Sequence, residues 1–117
     1  MNINVVIRYL HTHYLKGTNV YYIVTDNPIR VFEKQSGLIR LLIYLVDYEP
    51  INVQSIIENT DIYPNIMYAS LQKAKKLSLI STKSDRSTYP PRNMISLTDK
   101  GKKVAEKLKE IEEVLVE

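Results

Sequence analysis

The stretch IYPNIMYASLQKAKKLSLISTKSDRSTYPPRNMISLTDK, residues 62–100, carries the pattern that decides the fold. Its first part, to about Leu77, is predicted to be a helix, because Pro64 suits a first helical turn, where its missing N–H costs nothing. Two strand-like segments, LISTKS and NMISL, flank the loop DRSTYPPR, whose prolines exclude a helix. Thr98 is predicted to cap a further helix, with Asp99 favourable in its first turn. The stretch therefore predicts helix, strand, exposed loop, strand and helix.

The segments on either side extend this pattern with more helix. Gly37 precedes LIRLLIYLVDYE, a nearly continuous apolar run that includes Ile39, so we expect a core helix covered on most sides and ended at Glu49-Pro50. The short segment INV and one or two helical turns in QSIIENT follow. From Thr98 the chain is predicted to be helical to its end, with one apolar seam between charged faces, formed by Val104, Leu108, Ile111 and Leu115.

The predicted helix at residues 64–77 has a buried and an exposed face. We place Met67, Leu71 and Ala74 on the buried stripe. At 100° per residue, this choice turns five side chains outward, namely Asn65, Ala69, Gln72, Lys73 and Lys76, and leaves Tyr68 at the edge.

Positive charge is concentrated in one block of the chain. From Ala69 to Lys103 there are nine Lys and Arg residues and two acids, a net charge of +7. Residues 1–68 carry five basic and six acidic residues, a net of −1, and the last fourteen residues carry two and five, a net of −3. This asymmetry indicates a surface that faces a polyanion.

Composition excludes several other classes of protein. With 117 residues the chain has room for one domain with one core. It has no Cys, no apolar run long enough for a membrane span and no pattern typical of a signal peptide, so we expect a cytoplasmic protein. Heavy use of Ile, Lys and Tyr hints at a thermophile, and we expect an archaeal source.

No residue pattern indicates an enzyme, a cofactor or a metal site. There is no grouping of His, Ser and Asp, no pair of carboxylates on an apolar face, and no Gly-rich phosphate loop. His11 and His13 are the only histidines, and with no carboxylate or thiol nearby we expect no metal site and no catalytic residue there.

The N-terminal 36 residues allow two readings. Ile3, Ile7, Leu10 and Tyr14 fit a helical face, whereas alternation from Ile3 to Tyr9 fits a strand, and VYYIVT is strongly β-like. We favour a helix followed by a strand.

The order of predicted elements resembles the MarR/PadR-like winged helix-turn-helix transcription regulators, common in bacteria and archaea. The resemblance covers residues 37–108 and is carried by ISLTDKG at residues 95–101 and by four residues within SLQKAKKLSLI, namely Leu71, Ala74, Leu79 and Ile80. Two positions depart from the family pattern. Ser78 stands where the family usually has Gly, and Ala74 where it usually has a larger residue.

The resemblance implies an α+β, mostly α, fold in three parts. Residues 1–36 would be an N-terminal extension that packs or dimerises, residues 37–98 a winged-helix DNA-binding domain, and residues 99–117 a C-terminal dimerisation helix. The partners would be double-stranded DNA and a second copy of the chain, with the seam Val104, Leu108, Ile111 and Leu115 at the dimer contact.

The residue chemistry suits this expectation. A helix fits the major groove, where Asn and Gln amides can bind adenine, and an arginine on a ribbon tip can enter the minor groove. We expect the recognition helix at about residues 64–77 and the wing at 81–97 to contact DNA through Asn65, Tyr68, Ala69, Gln72, Lys73, Lys76, Lys83, Arg86 and Arg92. Two alternatives stay open: a winged helix used as a protein-interaction or assembly module, and a DNA-binding partition or replication factor of a plasmid or virus.

Overall fold

The computed structural model describes residues 27–117, which belong to two compact units. Helix α1, Pro28–Lys34, is part of the first unit, residues 1–34, and the sequence patterns did not predict it. The helix and strand expected before residue 27 lie outside the described residues, as do His11 and His13. The second unit, Gln35–Glu117, contains all the elements discussed below.

The second unit is mostly helical with a small antiparallel sheet. Its elements in chain order are α2 (Leu38–Tyr48), β1 (Ile51–Asn52), α3 (Val53–Asn59), α4 (Pro64–Lys76), β2 (Ile80–Asp85), β3 (Arg92–Leu97) and α5 (Asp99–Leu115). The strand order is β1-β3-β2. The predicted α+β winged helix-turn-helix is therefore confirmed, and the expected two-stranded ribbon has a third strand, because INV begins as β1 and pairs with β3.

Helix α2 lies at the centre of the core. Leu38, Leu41, Leu42 and Leu45 are fully buried, a spacing that places them on one face of a helix. Ile39 lies on another side and is 39% exposed. The helix is thus buried mainly on one face, whereas the sequence predicted that it would be covered on most sides. An apolar run does not by itself say how many neighbours a helix has.

The end of α2 is tied to the sheet by a carboxylate. Pro50 ends the helix, and the Glu49 side chain accepts a hydrogen bond from the Leu97 backbone N–H at 2.7 Å. Strand β1 is too short to reach this N–H, since its pairing with β3 covers only Ile95 and Met94. Glu49 therefore satisfies a backbone donor that the short strand leaves unpaired.

Helix α4 ends in a turn that needs a left-handed residue. The Leu79 N–H donates to the Ala74 carbonyl at 2.8 Å, and the Ser78 N–H donates to the Lys75 carbonyl at 2.9 Å. This pair of bonds defines a Schellman motif, whose penultimate position takes positive φ and favours glycine. Ser78 has φ of 60°. The resemblance leads one to expect Gly at this position. Ser stands there instead and adopts the left-handed conformation that glycine favours.

A junction below this turn joins α4, the sheet and α5. The Thr98 hydroxyl donates to the Ser78 carbonyl at 2.7 Å and accepts from the Gly101 N–H at 2.9 Å, so Thr98 is the predicted N-cap. A Cβ added at Gly101 would lie 1.9 Å from the Leu79 carbonyl oxygen. Glycine is required here because the first turn of α5 touches the backbone that leaves α4.

Replacing Gly101 by Ala is expected to lower the free energy of unfolding by about 1–3 kcal/mol, the usual range for overpacking. Helix propensity alone would favour Ala by about 1 kcal/mol, so the sign of the change separates the two effects. Urea denaturation measures it. Lys102→Ala, an exposed change in the same turn, is the control and should shift stability by less than about 0.5 kcal/mol. A more stable Gly101→Ala protein would contradict the contact.

Replacing Ser78 by Gly is expected to stabilise the protein by about 0.5–1 kcal/mol. Relief of the left-handed conformation, about 1–2 kcal/mol, exceeds the extra entropy that glycine loses on folding. Ser78→Ala is the matched control, since Ala keeps the Cβ, and it should give no gain. Equal denaturation midpoints for the Gly and Ala variants would show that no strain is stored at this turn.

Candidate nucleic-acid interface

Helix α4 presents one polar face to solvent. Its buried residues are Met67, Ser70, Leu71 and Ala74, so the predicted buried stripe is confirmed with Ser70 added. Asn65, Gln72, Lys73 and Lys76 are exposed, and Tyr68 is 56% exposed. At 100° per residue the stripe Asn65, Ala69, Gln72 and Lys76 spans about 60° of the helix surface. The sequence-predicted helix residues therefore share one accessible face, with Lys73 and Tyr68 on its two flanks.

Ala69 departs from this pattern in its exposure. It is half-buried, whereas its neighbours on the stripe are exposed. Because its side chain is a single methyl group beside larger residues, it forms a low, apolar floor between Asn65 and Gln72. Such a methyl group can contact another methyl group but cannot hydrogen bond.

The position of α4 is fixed at its other side by α2. The Ser70 hydroxyl donates to the Ser36 carbonyl at 3.0 Å. Gly37, with φ of 86°, follows directly, and a Cβ there would lie 3.0 Å from the Ile66 Cγ2 atom. A buried hydroxyl and a close glycine thus hold α4 against the start of α2, and the polar face points away from the core.

The ribbon of β2 and β3 forms a wing with an ordered tip. Asp85 lies opposite Arg92 in the ribbon, and its carboxylate accepts from the Ser87 N–H at 2.9 Å and from the Ser87 hydroxyl at 2.6 Å. These two bonds, and to a smaller extent the charge of Arg92, hold the pKa of Asp85 below its usual value. The turn is therefore organised by an ionised carboxylate at neutral pH.

The basic side chains of the wing are accessible. Lys83, Arg86 and Arg92 are exposed, and Tyr89 at the tip is 98% exposed. Within residues 27–117 the ion pairs are Arg40 with Asp61, Lys107 with Glu110 and Lys109 with Asp47. None of these pairs uses a cation of α4 or the wing, so within residues 27–117 these cations form no ion pair, although Asp85 faces Arg92 across the ribbon.

Two adjoining grooves connect α4 to the wing. A groove of about 270 Å³ is lined by Tyr68, Gln72 and Lys75 from α4 together with Thr82 and Asn93 from the ribbon. A second groove of about 500 Å³ lies between α3 and β3 and shares Tyr68 and Asn93 with the first. The flank of α4 that carries Tyr68, Gln72 and Lys75 therefore lines, together with the ribbon, two grooves that share residues.

The sequence-based site did not include every residue of this surface. Gln54 and Asn93 line the grooves but were absent from the predicted set, whereas Lys75, which lines the smaller groove, belongs to the predicted block of positive charge. Lys75 belongs to a visible lysine cluster, whereas Asn93 and Gln54 look like ordinary polar positions of a strand and a helix. Only the packing of α3 against β3 brings them to the groove. Arg86 and Tyr89 line neither groove and belong to the tip.

This architecture is also found in solved structures of other proteins. No protein-family model and no curated protein matches the chain. Solved structures do match. A MarR-family regulator from Porphyromonas gingivalis aligns at 23% identity and a TM-score of 0.61, over 80% of this chain and 93% of that one.

Two further structures have the same architecture. An apo ZitR variant from Lactococcus lactis aligns at 20% identity and a TM-score of 0.63, over 75% of this chain and 66% of that one. A PadR-family transcriptional regulator from Eggerthella lenta aligns at 18% and 0.56, over 82% and 88%. The fold is the winged helix of MarR and PadR regulators. At these identities the likeness establishes the fold alone.

In this winged helix the predicted apolar seam divides into two halves. Ala105 is fully buried, and Val104 and Leu108 are half-buried where α5 packs on α2. Ile111 is 54% exposed and Leu115 is 78% exposed. The first half of the seam thus belongs to the core of the domain, and the second half is an apolar surface.

An ion pair marks where α5 leaves the domain. The Lys109 ammonium donates to both carboxylate oxygens of Asp47 on α2 at 2.8 Å. This hydrogen bonding raises the pKa of Lys109. Beyond this ion pair Val114 and Val116 are exposed as well. The apolar side chains at the C-terminal end of α5 are therefore not buried by the rest of the second unit.

Two other features are absent from the described part of the chain. Among residues 27–117, no three acidic or histidine side chains come together as metal ligands, and no helix is long and apolar enough to cross a membrane.

Proposed function

We propose that this chain is a sequence-specific double-stranded DNA-binding protein that regulates transcription as a cytoplasmic homodimer, without enzymatic activity. The observation that carries the proposal is the shared surface of α4 and the wing, which combines exposed amides with exposed cations that form no ion pair within residues 27–117. Residues 37–98 would bind DNA, and residues 1–36 and 99–117 would serve packing and dimerisation.

Helix α4 suits the major groove in size and chemistry. The groove accepts one α-helix, and Asn and Gln can each form two hydrogen bonds to an adenine edge. Asn65 and Gln72 lie on the outward stripe, one on each side of the low floor at Ala69. That floor would let the helix approach closely and could contact a thymine methyl group. The proposed base contacts are therefore Asn65, Ala69 and Gln72.

The basic residues around this stripe suit the phosphates. On α4, Lys76 lies at the C-terminal end of the stripe and Lys73 on its flank. Lys83 lies on β2, and Arg86 and Arg92 lie at the two ends of the wing turn. Phosphate contacts supply affinity and set the position of the protein without reading sequence. Tyr68, beside the groove, can donate its hydroxyl to a phosphate oxygen.

Two copies would hold two half-sites. A symmetric dimer of helix-turn-helix domains reads half-sites about one helical turn apart. The exposed apolar end of α5, Ile111 and Leu115, provides the contact, because burying such side chains is the main driving force of association. Val104 and Leu108 would support this contact from the half of the seam that packs on α2.

Substitutions on α4 and on the wing should have different effects. After in vitro selection of a preferred duplex, Asn65→Ala and Gln72→Ala should each weaken binding to it by about 1–3 kcal/mol and leave binding to a scrambled duplex nearly unchanged. Arg86→Ala and Arg92→Ala should weaken binding to both duplexes. Fluorescence anisotropy titrations measure all four variants.

Lys107→Ala is the control for this series, since it removes an exposed cation from α5, away from the proposed surface. It should change neither titration appreciably. If the α4 variants weaken both duplexes equally and the wing variants remove only the preference, the proposed docking is reversed. If no selected sequence emerges and no duplex binds, the winged helix serves another purpose, such as protein interaction.

The double change Ile111→Lys and Leu115→Lys should convert a dimer to a monomer, because it places two charges in an apolar contact. Both positions are exposed in the single chain, so the domain itself should stay folded. Light scattering measures the mass. Glu106→Gln with Glu113→Gln shifts the net charge by the same two units on the same helix and should leave the dimer intact. A monomeric wild type, or a double variant that stays dimeric, would refute this contact.

A further inference from the structure

The groove between α3 and the wing contains several donors and one carboxylate. Its walls are formed by α3, by Tyr68 of α4 and by the start of β3, and its volume of about 500 Å³ is within the ~300–1,000 Å³ typical of ligand sites. We call it the α3–wing cleft; it is lined by Asn52, Val53, Gln54, Ser55, Glu58, Tyr68, Arg92 and Asn93. Through the smaller groove, the cleft adjoins the outward stripe of α4 at Gln72.

The donors come from two elements on opposite walls. Arg92 and Asn93 at the start of β3 are exposed, with guanidinium and amide donors. Gln54 on α3 provides a second amide. Asn52 is already engaged, since its side-chain oxygen accepts from the Ser55 N–H and caps α3. The Arg92 guanidinium, the Asn93 amide and the N–H of Gln54 that is not bonded to Glu58 thus suit an anion that lies between α3 and the wing.

The carboxylate in this cleft is oriented by its neighbour. The Gln54 amide donates to Glu58 Oε1 at 3.1 Å, one turn along α3. Both side chains are exposed, so the bond positions the carboxylate without burying it. An anion bound to Arg92 and Asn93 would face this negative charge across the cleft.

We propose that the α3–wing cleft holds one DNA phosphodiester, bound by Arg92, Asn93 and Gln54, and that Glu58 repels this same phosphate and limits affinity for any duplex. The inference rests on the proposed function and deepens it. The anion that suits the cleft is a DNA phosphate. The cleft adjoins the stripe on α4 that would read bases, and the sugar–phosphate backbone of the DNA must pass beside that stripe. The negative charge of Glu58 would partly offset the attraction of the +7 block for DNA.

The charge of Glu58 can be removed without changing its shape. Glu58→Gln keeps an oxygen that can accept from Gln54. Glu106→Gln, an exposed change on α5, is the matched control for net charge. Two like unit charges about 4 Å apart repel by about 1 kcal/mol in water. This energy corresponds to about a fivefold change in affinity. We therefore expect Glu58→Gln to tighten binding to preferred and scrambled duplexes about three- to tenfold, and Glu106→Gln to have a much smaller effect.

Single methylphosphonate substitutions, which neutralise one phosphate at a time, identify the partner of Glu58. One position on each half-site should respond: neutralising it should abolish the gain of Glu58→Gln, and Asn93→Ala, which weakens binding to the intact duplex, should cause no further loss there. A gain that Glu106→Gln equals, or that persists whichever phosphate is neutralised, would overturn the inference and leave the proposed function standing. A wild type that binds no duplex at low salt would overturn both.

Discussion

The close approach of the first turn of α5 to the end of α4 is the constraint on which the rest of the winged helix depends. The Gly101 backbone lies against the Leu79 carbonyl, and the Thr98 hydroxyl joins Ser78 to the helix start. Since β2 leaves this junction and β3 returns to it, one compact set of backbone contacts fixes α4, the wing and α5 relative to one another. A side chain at Gly101 would disturb all three.

This constraint separates two surfaces of opposite character. One surface is formed by α4 and the wing, which present the exposed cations and line the two adjoining grooves. On the other, α5 leaves the domain after the Lys109–Asp47 ion pair and ends in an exposed apolar and acidic segment with a net charge of −3 over its last fourteen residues. The proposed DNA surface and the proposed self-association surface thus lie on different elements of the second unit.

Local signals in the sequence predicted most of the fold, and packing explains what they missed. Pro64 and Thr98 act on their own helix ends, so they could be located from the chain alone. The exposure of Ile39 was misjudged because it depends on neighbours distant in sequence, and the same dependence leaves Ala69 half-buried on the outward stripe where it was predicted. Gln54 and Asn93 reach the groove only through the packing of α3 on β3, which periodicity does not encode. The strained turn at Ser78 was anticipated only as a departure from the family pattern.

The central claim is that the cations of α4 and the wing bind DNA phosphates, and the salt dependence of duplex binding tests it most directly. Affinity would be measured for wild-type protein and one duplex between ~50 and ~200 mM salt. If the dimer neutralises ~4–8 phosphates, the logarithm of the association constant should fall against the logarithm of salt concentration with a slope of about −4 to −7. A slope near zero, or no binding at the lowest salt concentration, would contradict the account.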